Sequence, residues 1–198
     1  MTTDIIDELA GVVPGSDVDT LRRRRAQARV HSQASYDALF TEPDETGVTP
    51  TERLAVAAFV AALHGEGPAR DHYRARLASV AGREFAGLVD DVATAAASRG
   101  PYGRFPATAD LRAEDAPGPV LRVDDGTASV LGERLTAALE HAHLLVLRPR
   151  EASPEALTAL VRAGWSTAEI VTLSQLVAFL SFQLRVVHGL RVLEESPA

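Results

Sequence analysis

The chain has 198 residues, 20 basic and 27 acidic, for a formal charge of −7, and 46% of it is hydrophobic; this is the profile of a soluble globular protein long enough to bury a core. It contains no Cys, no Lys and no Asn, so every basic residue is Arg, which excludes disulfides, thiolate nucleophiles, zinc–sulfur clusters, Schiff-base and phosphate-loop lysines, and N-glycosylation. The net acidic balance argues against nonspecific nucleic-acid binding, which needs a clustered positive face.

Strand signals are nearly absent, whereas Ala, Leu and Arg recur at helical spacing, so the expected fold is all-α. The amino terminus, MTTDIIDELAG, is acidic and carries no charged-then-apolar leader, which argues against a secretion signal and for the cytoplasm. A first helix is expected from the Ser16 cap through Asp17 to about Phe40, within an amino-terminal helical arm covering residues 1–48. The Arg22 to Arg25 run samples every side of that helix and reads mainly as a solvated or intersubunit salt-bridge surface.

Residues 49–198 form the main helical unit. Its first helix has Thr49 at the cap, Pro50 at the first position and Glu52 at the third, where the carboxylate reaches back to the cap amide. His64-Gly65 ends it, Gly67-Pro68 opens a helix to about Ala81, and another covers about Arg83 to Ser98. Residues 100–119 hold four Pro and three Gly and form the principal loop. Helices are then expected from Thr127 to about Leu147, from Ser153-Pro154 to Gly164, and from the Ser166-x-x-Glu169 box to about Leu193. The last includes the most apolar stretch, Ile170 to Leu184, which its Thr, Ser and Gln residues mark as a core helix, too short and polar to span a bilayer. Aligning Thr49–Leu63 with Ser166–Leu180 gives four identities in fifteen positions, Glu52/Glu169, Val60/Val177, Ala61/Ala178 and Leu63/Leu180, a faint internal repeat.

The segment TPTERLAVAAFVAALHGEGPARDHYRARL resembles the signature helix of the carboxymuconolactone decarboxylase and alkylhydroperoxidase D superfamily. The Gly164-Trp165-Ser166 step, followed by a long apolar helix ending in Phe182-Gln183-Leu184-Arg185, is similar to the carboxyl-terminal part of its peroxidase-related members. The resemblance covers most of Thr49 to Leu193, leaves the 100–119 loop unmatched, and implies a compact alkylhydroperoxidase D-like helical fold and a homo-oligomer, a dimer or trimer. Active peroxidase members carry a Glu, then Cys-x-x-Cys at the start of the next helix, then a His one turn on; the helix amino terminus stabilises the thiolate while the other two relay its proton. Aligned on the Leu63-His64-Gly65 step, the cysteine positions hold Glu66 and Ala69, the glutamate position holds Leu54, and the histidine position holds Tyr73 with His72 beside it. A register shifted by two places Glu52 at the glutamate and His64 and Gly67 at the cysteines, so both thiols are lost either way.

The candidate residues follow. Glu66, His72 and Tyr73 are candidates for acid–base chemistry or substrate holding, and Arg185 for anchoring a small anionic molecule. Arg185 lies in an apolar context, so pairing with a carboxylate or carbonyl is expected first. Glu52 already has a capping role. The cluster His64, Glu66 and His72 lacks the pattern of two His one turn apart on a single helix, and neither a metal nor a cofactor is expected. His141 and His143 point about 200° apart on a helix, one packed and one solvated; His188 suits a helix carboxyl end; Trp165 reads as a core plug. Two functions compete: a cofactor-free acid–base enzyme acting on a small anion, and a non-enzymatic oligomer that binds a ligand or only packs. No membrane association is expected.

Overall fold

A computed structural model of the chain describes residues 4–41, 43, 47–65, 67–105 and 115–195. Ten α-helices carry the described fold, with one isolated bridge between Gly103 and Ala116 as its β-type pairing. The all-α class follows from the chain's helical periodicity.

The arm begins with a helix the sequence reading did not include, α1 (Ile5–Ala10). Asp4 accepts from the amides of Ile6 and Asp7, Gly11 closes the helix, and Ile5, Ile6 and Leu9 are buried. Ser16 caps α2 (Asp17–Arg23), with the Asp19 amide 3.2 Å from its hydroxyl. The continuous helix expected to Phe40 is broken: the chain leaves helical geometry at Arg25, re-enters as α3 (Ala26–Tyr36) and widens into a π turn, Asp37–Thr41. The break lets Arg22 on α2 and Arg29 on α3 share the carboxylates of α1, with Arg22 at 2.9 Å from Asp4 and 2.7 Å from Asp7, and Arg29 at 2.6 Å from Asp7. The arginine run is therefore not wholly solvated, because Arg22 is buried while Arg23, Arg24 and Arg25 are exposed.

The central helix α4 (Pro50–Leu63) starts with the expected reciprocal box between Thr49 and Glu52 and is buried from Arg53 to Leu63. It packs against α5 (Pro68–Ala81) and α6 (Arg83–Ala96) on one side, and against later helices on the other. The helix expected over Thr127–Leu147 is two, α7 (Asp125–Leu131) and α8 (Glu133–Leu147). Gly132 separates them at φ 80°, a conformation open chiefly to glycine. A short 3₁₀ turn, Pro149–Glu151, leads to α9 (Pro154–Arg162), capped by Ser153, and then to α10 (Thr167–Glu195).

α10 packs against α1, α2, α4, α8 and α9, so arm and main unit share one hydrophobic core. Leu173, Leu176, Leu180 and Trp165 are fully or almost fully buried in it. The expectation that this segment is too short and polar to span a bilayer holds for Ile170–Leu184 alone: the whole of α10 is long and apolar enough to cross a membrane, and 44% of its most apolar window is buried within the fold. Among the loop residues, 106–114 lie outside the described part of the chain.

Candidate functional site

The turn from α4 into α5 and the carboxyl-terminal half of α10 line an open cavity of about 270 Å³. Three requirements of the sequence create it: α4 must stop at His64-Gly65, Pro68 can sit only in a first helical turn, and Ala69 is small enough to leave room behind it. The first turn of α5 presents the amide of Ala69, which has no intrahelical partner, at the positive end of the helix dipole.

The cavity wall is cationic. Arg70, Arg185 and Arg191 line it together with His64 and His188, and no carboxylate stands among its described lining residues. Arg70 is committed to Asp90, at 2.9 and 2.8 Å. Arg185 was expected to pair; it is exposed instead and makes no hydrogen bond or ion pair with any described residue. Its position on the outer side of α10 removes the desolvation cost that motivated the pairing. Among the described residues Arg191 pairs with Glu195, at 3.9 Å. His64 Nδ1 lies 2.8 Å from the carbonyl of Val60, which makes that nitrogen the donor, and Nε2 has no partner among the described residues. Desolvation first, and then the Arg185 guanidinium, hold His64 below the ordinary imidazole value; the exposure of the residue limits the first effect. His188 is not at a helix end, because α10 continues to Glu195.

The other candidates lie elsewhere. Glu66 is outside the described residues. Tyr73 is fully buried, its hydroxyl donating to Gln183 Oε1 at 2.5 Å, and burial pushes its pKa up. His72 faces the arm: its Nε2 is 3.0 Å from the Tyr36 hydroxyl, which accepts in turn from Arg76. Burial, and then Arg76, hold the His72 imidazole below its usual value. Tyr36, Phe40, His72 and Tyr73 form one aromatic cluster that Arg76 covers, with Phe40 and Tyr73 centroids 5.3 Å apart. His72 and Tyr73 therefore tie the arm to α5, and neither lines the cavity that Arg185 lines. No three metal-ligating side chains converge among the described residues.

Two features escaped the sequence reading. His141 and His143 are both buried, at 5% and 1% exposure, instead of one packed and one solvated; an extended segment, residues 119–123, covers α8 on the side that periodicity would leave to solvent. Arg134, which no local pattern singles out, joins both capping boxes. Comparison with protein-family models and with curated proteins finds no match to the chain.

Proposed function

We propose that this chain is a cysteine-less member of the carboxymuconolactone decarboxylase-like superfamily that binds a small anionic molecule and carries out no thiol peroxidation. The observation that carries the reading is the cavity at the start of α5, where Arg185 and Arg191 line one wall beside a helix amino terminus. In the superfamily resemblance the same turn holds the thiol positions, filled by Glu66 and Ala69, so the pocket is retained in this reading while its nucleophiles are gone.

Binding is favoured over acid–base turnover because His72 is engaged by Tyr36 and Tyr73 by Gln183, away from the cavity. Of the proton-moving candidates, this leaves Glu66 to the enzymatic version. We further place the protein in the cytoplasm as a homo-oligomer, a dimer or trimer, a reading supported by exposed Val171 and Phe182 on α10.

The test is calorimetric titration of the full chain with inorganic phosphate and with acetate. Saturable binding of at least one anion, weakened about tenfold by Arg185→Gln without loss of thermal stability, supports the reading. Absence of binding, or binding indifferent to both Arg185→Gln and Arg191→Gln, overturns it. Turnover of organic hydroperoxide with a thiol reductant would overturn the exclusion of peroxidase activity.

A further inference from the structure

α10 has two faces. Leu173, Leu176, Leu180 and Leu184 are buried in the core, and a second stripe runs along the outside. From Ala168 to Val192, in alternate steps of three and four residues, every position lands on an exposed residue. That alternation is the 3.5-residue period of two helices sharing a seam, and here it is sustained for more than three heptads, a length of about 36 Å.

A second copy can lie on this stripe in two directions. In a parallel pair each residue meets its own counterpart, which sets the two Arg185 guanidiniums against each other and leaves a gap at Gly189. In an antiparallel pair with its two-fold axis at the level of Leu180, Phe182 meets Ala178, Val171 meets Gly189, and Val192 meets Ala168. Each of these layers joins a large side chain to a small one, as close packing between helices requires. The remaining layer sets Arg185 against Gln175, whose side-chain oxygen accepts from a guanidinium. Both are exposed, and Arg185 has no hydrogen bond or ion pair with any described residue of its own chain.

The register is specified as well as the direction. Sliding the antiparallel pair by one heptad either way sets Phe182 against Val171 or Arg185, and Ala178 against Gln175 or Gly189, so the match of size and polarity is lost. Half-buried Phe179 and Ser181 flank the two-fold axis on opposite sides of the stripe, which brings aromatic to aromatic on one edge and hydroxyl to hydroxyl on the other.

We infer that two copies of this chain pair through an antiparallel α10 seam, in the register that sets Gln175 of one copy against Arg185 of the other. This pairing rests on the homo-oligomer reading and adds to it a direction, a register and a consequence for the site. Arg185 also lines the cationic cavity, so the partner's Gln175 stands at the cavity mouth.

The chain has no cysteine, so an introduced thiol reports the seam without background. Val171 is exposed and a Cβ at Gly189 meets nothing within 4 Å; Val171→Cys and Gly189→Cys should therefore both fold, as circular dichroism checks. Light scattering at micromolar concentration should give a dimer for the wild type. Mild oxidation should link an equimolar mixture of the two variants covalently, whereas neither links to itself, because the two copies of either position lie about 27 Å apart along the seam. Gln175→Arg, which opposes two guanidiniums, should weaken the dimer about tenfold, and adding Arg185→Gln to it should restore the dimer. A monomeric wild type overturns the seam together with the homo-oligomer reading. An assembly other than a dimer overturns the seam and leaves that reading standing, as does a dimer whose mixture does not link or whose single variants link to themselves. A dimer indifferent to Gln175→Arg, or not restored by Arg185→Gln, does the same.

Discussion

Glu52 and Glu169, the third residues of the two capping boxes, are held by one guanidinium. Arg134 Nε lies 2.6 Å from Glu52 Oε1, and its terminal nitrogen lies 2.9 Å from Glu169 Oε1. The same guanidinium donates to the carbonyls of Gly47 and Gly164, at 3.0 and 2.8 Å, and lies 4.0 Å over the Trp165 ring, whose indole N–H donates to the Arg134 carbonyl. Each glutamate thus caps its own helix and helps to clamp the starts of α4 and α10 against α8. A Cβ at Gly47 would come within 2.2 Å of Glu169 Oε1, so the clamp also fixes a glycine there. The likeness between the two boxes has a physical counterpart in this shared partner.

Arg134→Met should destabilise the fold by about 2 kcal/mol, the loss of two charge-assisted pairs and a cation–π contact at a partly exposed site. The chain has a single tryptophan, and it lies under the guanidinium, so its emission reads the clamp directly. Denaturant melts followed at Trp165 should show a lower midpoint with unchanged slope, together with an altered native spectrum. An unchanged midpoint would mean that the two helix starts are held by packing alone.

The Arg134 guanidinium, followed by the Ser166 amide, holds the Glu169 carboxyl at about 2, well below its ordinary 4.5. A depressed carboxylate stabilises the fold while it is ionised. The contribution is complete above about pH 4.5 and is lost as pH falls toward 2. Glu169→Gln should therefore cost about 1 kcal/mol near neutrality and little at the acid end. Melts of wild type and variant across that range should converge as pH falls; a constant gap would assign the loss to capping geometry and not to charge.

Histidines govern a different window. Burial holds both His141 and His143 below the ordinary imidazole value of 6.5, with Arg148 adding to the effect at His143. The folded state keeps these rings neutral and the unfolded chain protonates them, so stability is full above about pH 6.5 and declines as pH falls below it. His64 and His72 shift in the same direction. Thermal melts from neutrality down to about pH 5 should show a falling midpoint, with a shallower fall in His143→Phe than in wild type. An equal slope in the two proteins would show that His143 carries none of the effect.

Local chemistry made much of the architecture legible. Thr49, Pro50 and Glu52 fix the start of α4, Gly67-Pro68 that of α5, and Ser166 with Glu169 that of α10, because each cap is closed by residues a few positions apart. The break at Arg25 was not legible: it depends on Asp4 and Asp7 meeting Arg22 and Arg29 across the turn. The split at Gly132 was hidden for a different reason, since a glycine costs a helix only about 1 kcal/mol and its presence does not decide between kink, cap and continuation. At the site, Arg185 could be named from its place in an apolar helix, but its exposure could not. Arg134 was invisible because its carboxylates come from 82 and 35 residues away. His72 and Tyr73, adjacent in sequence, part company because the helix turns one toward Tyr36 and the other toward Gln183.

The open face of α10 supports the last prediction. Val171, Ala178 and Phe182 recur at helical spacing along one side of the helix and are exposed, with Phe182 at 46% and Val171 at 52%, while Leu173, Leu176 and Leu180 point into the core. A second copy laying its own α10 along this face would bury two aromatic-centred patches at once, and a self-complementary patch closes into a symmetric pair. Phe182→Glu changes a side chain that a single chain does not bury, so the variant should keep the wild-type circular dichroism. Light scattering at micromolar concentration should give an oligomer for the wild type and a monomer for the variant, because two carboxylates would face each other across the apolar contact. A monomeric wild type removes the assembly, and a variant of unchanged mass moves the interface away from α10.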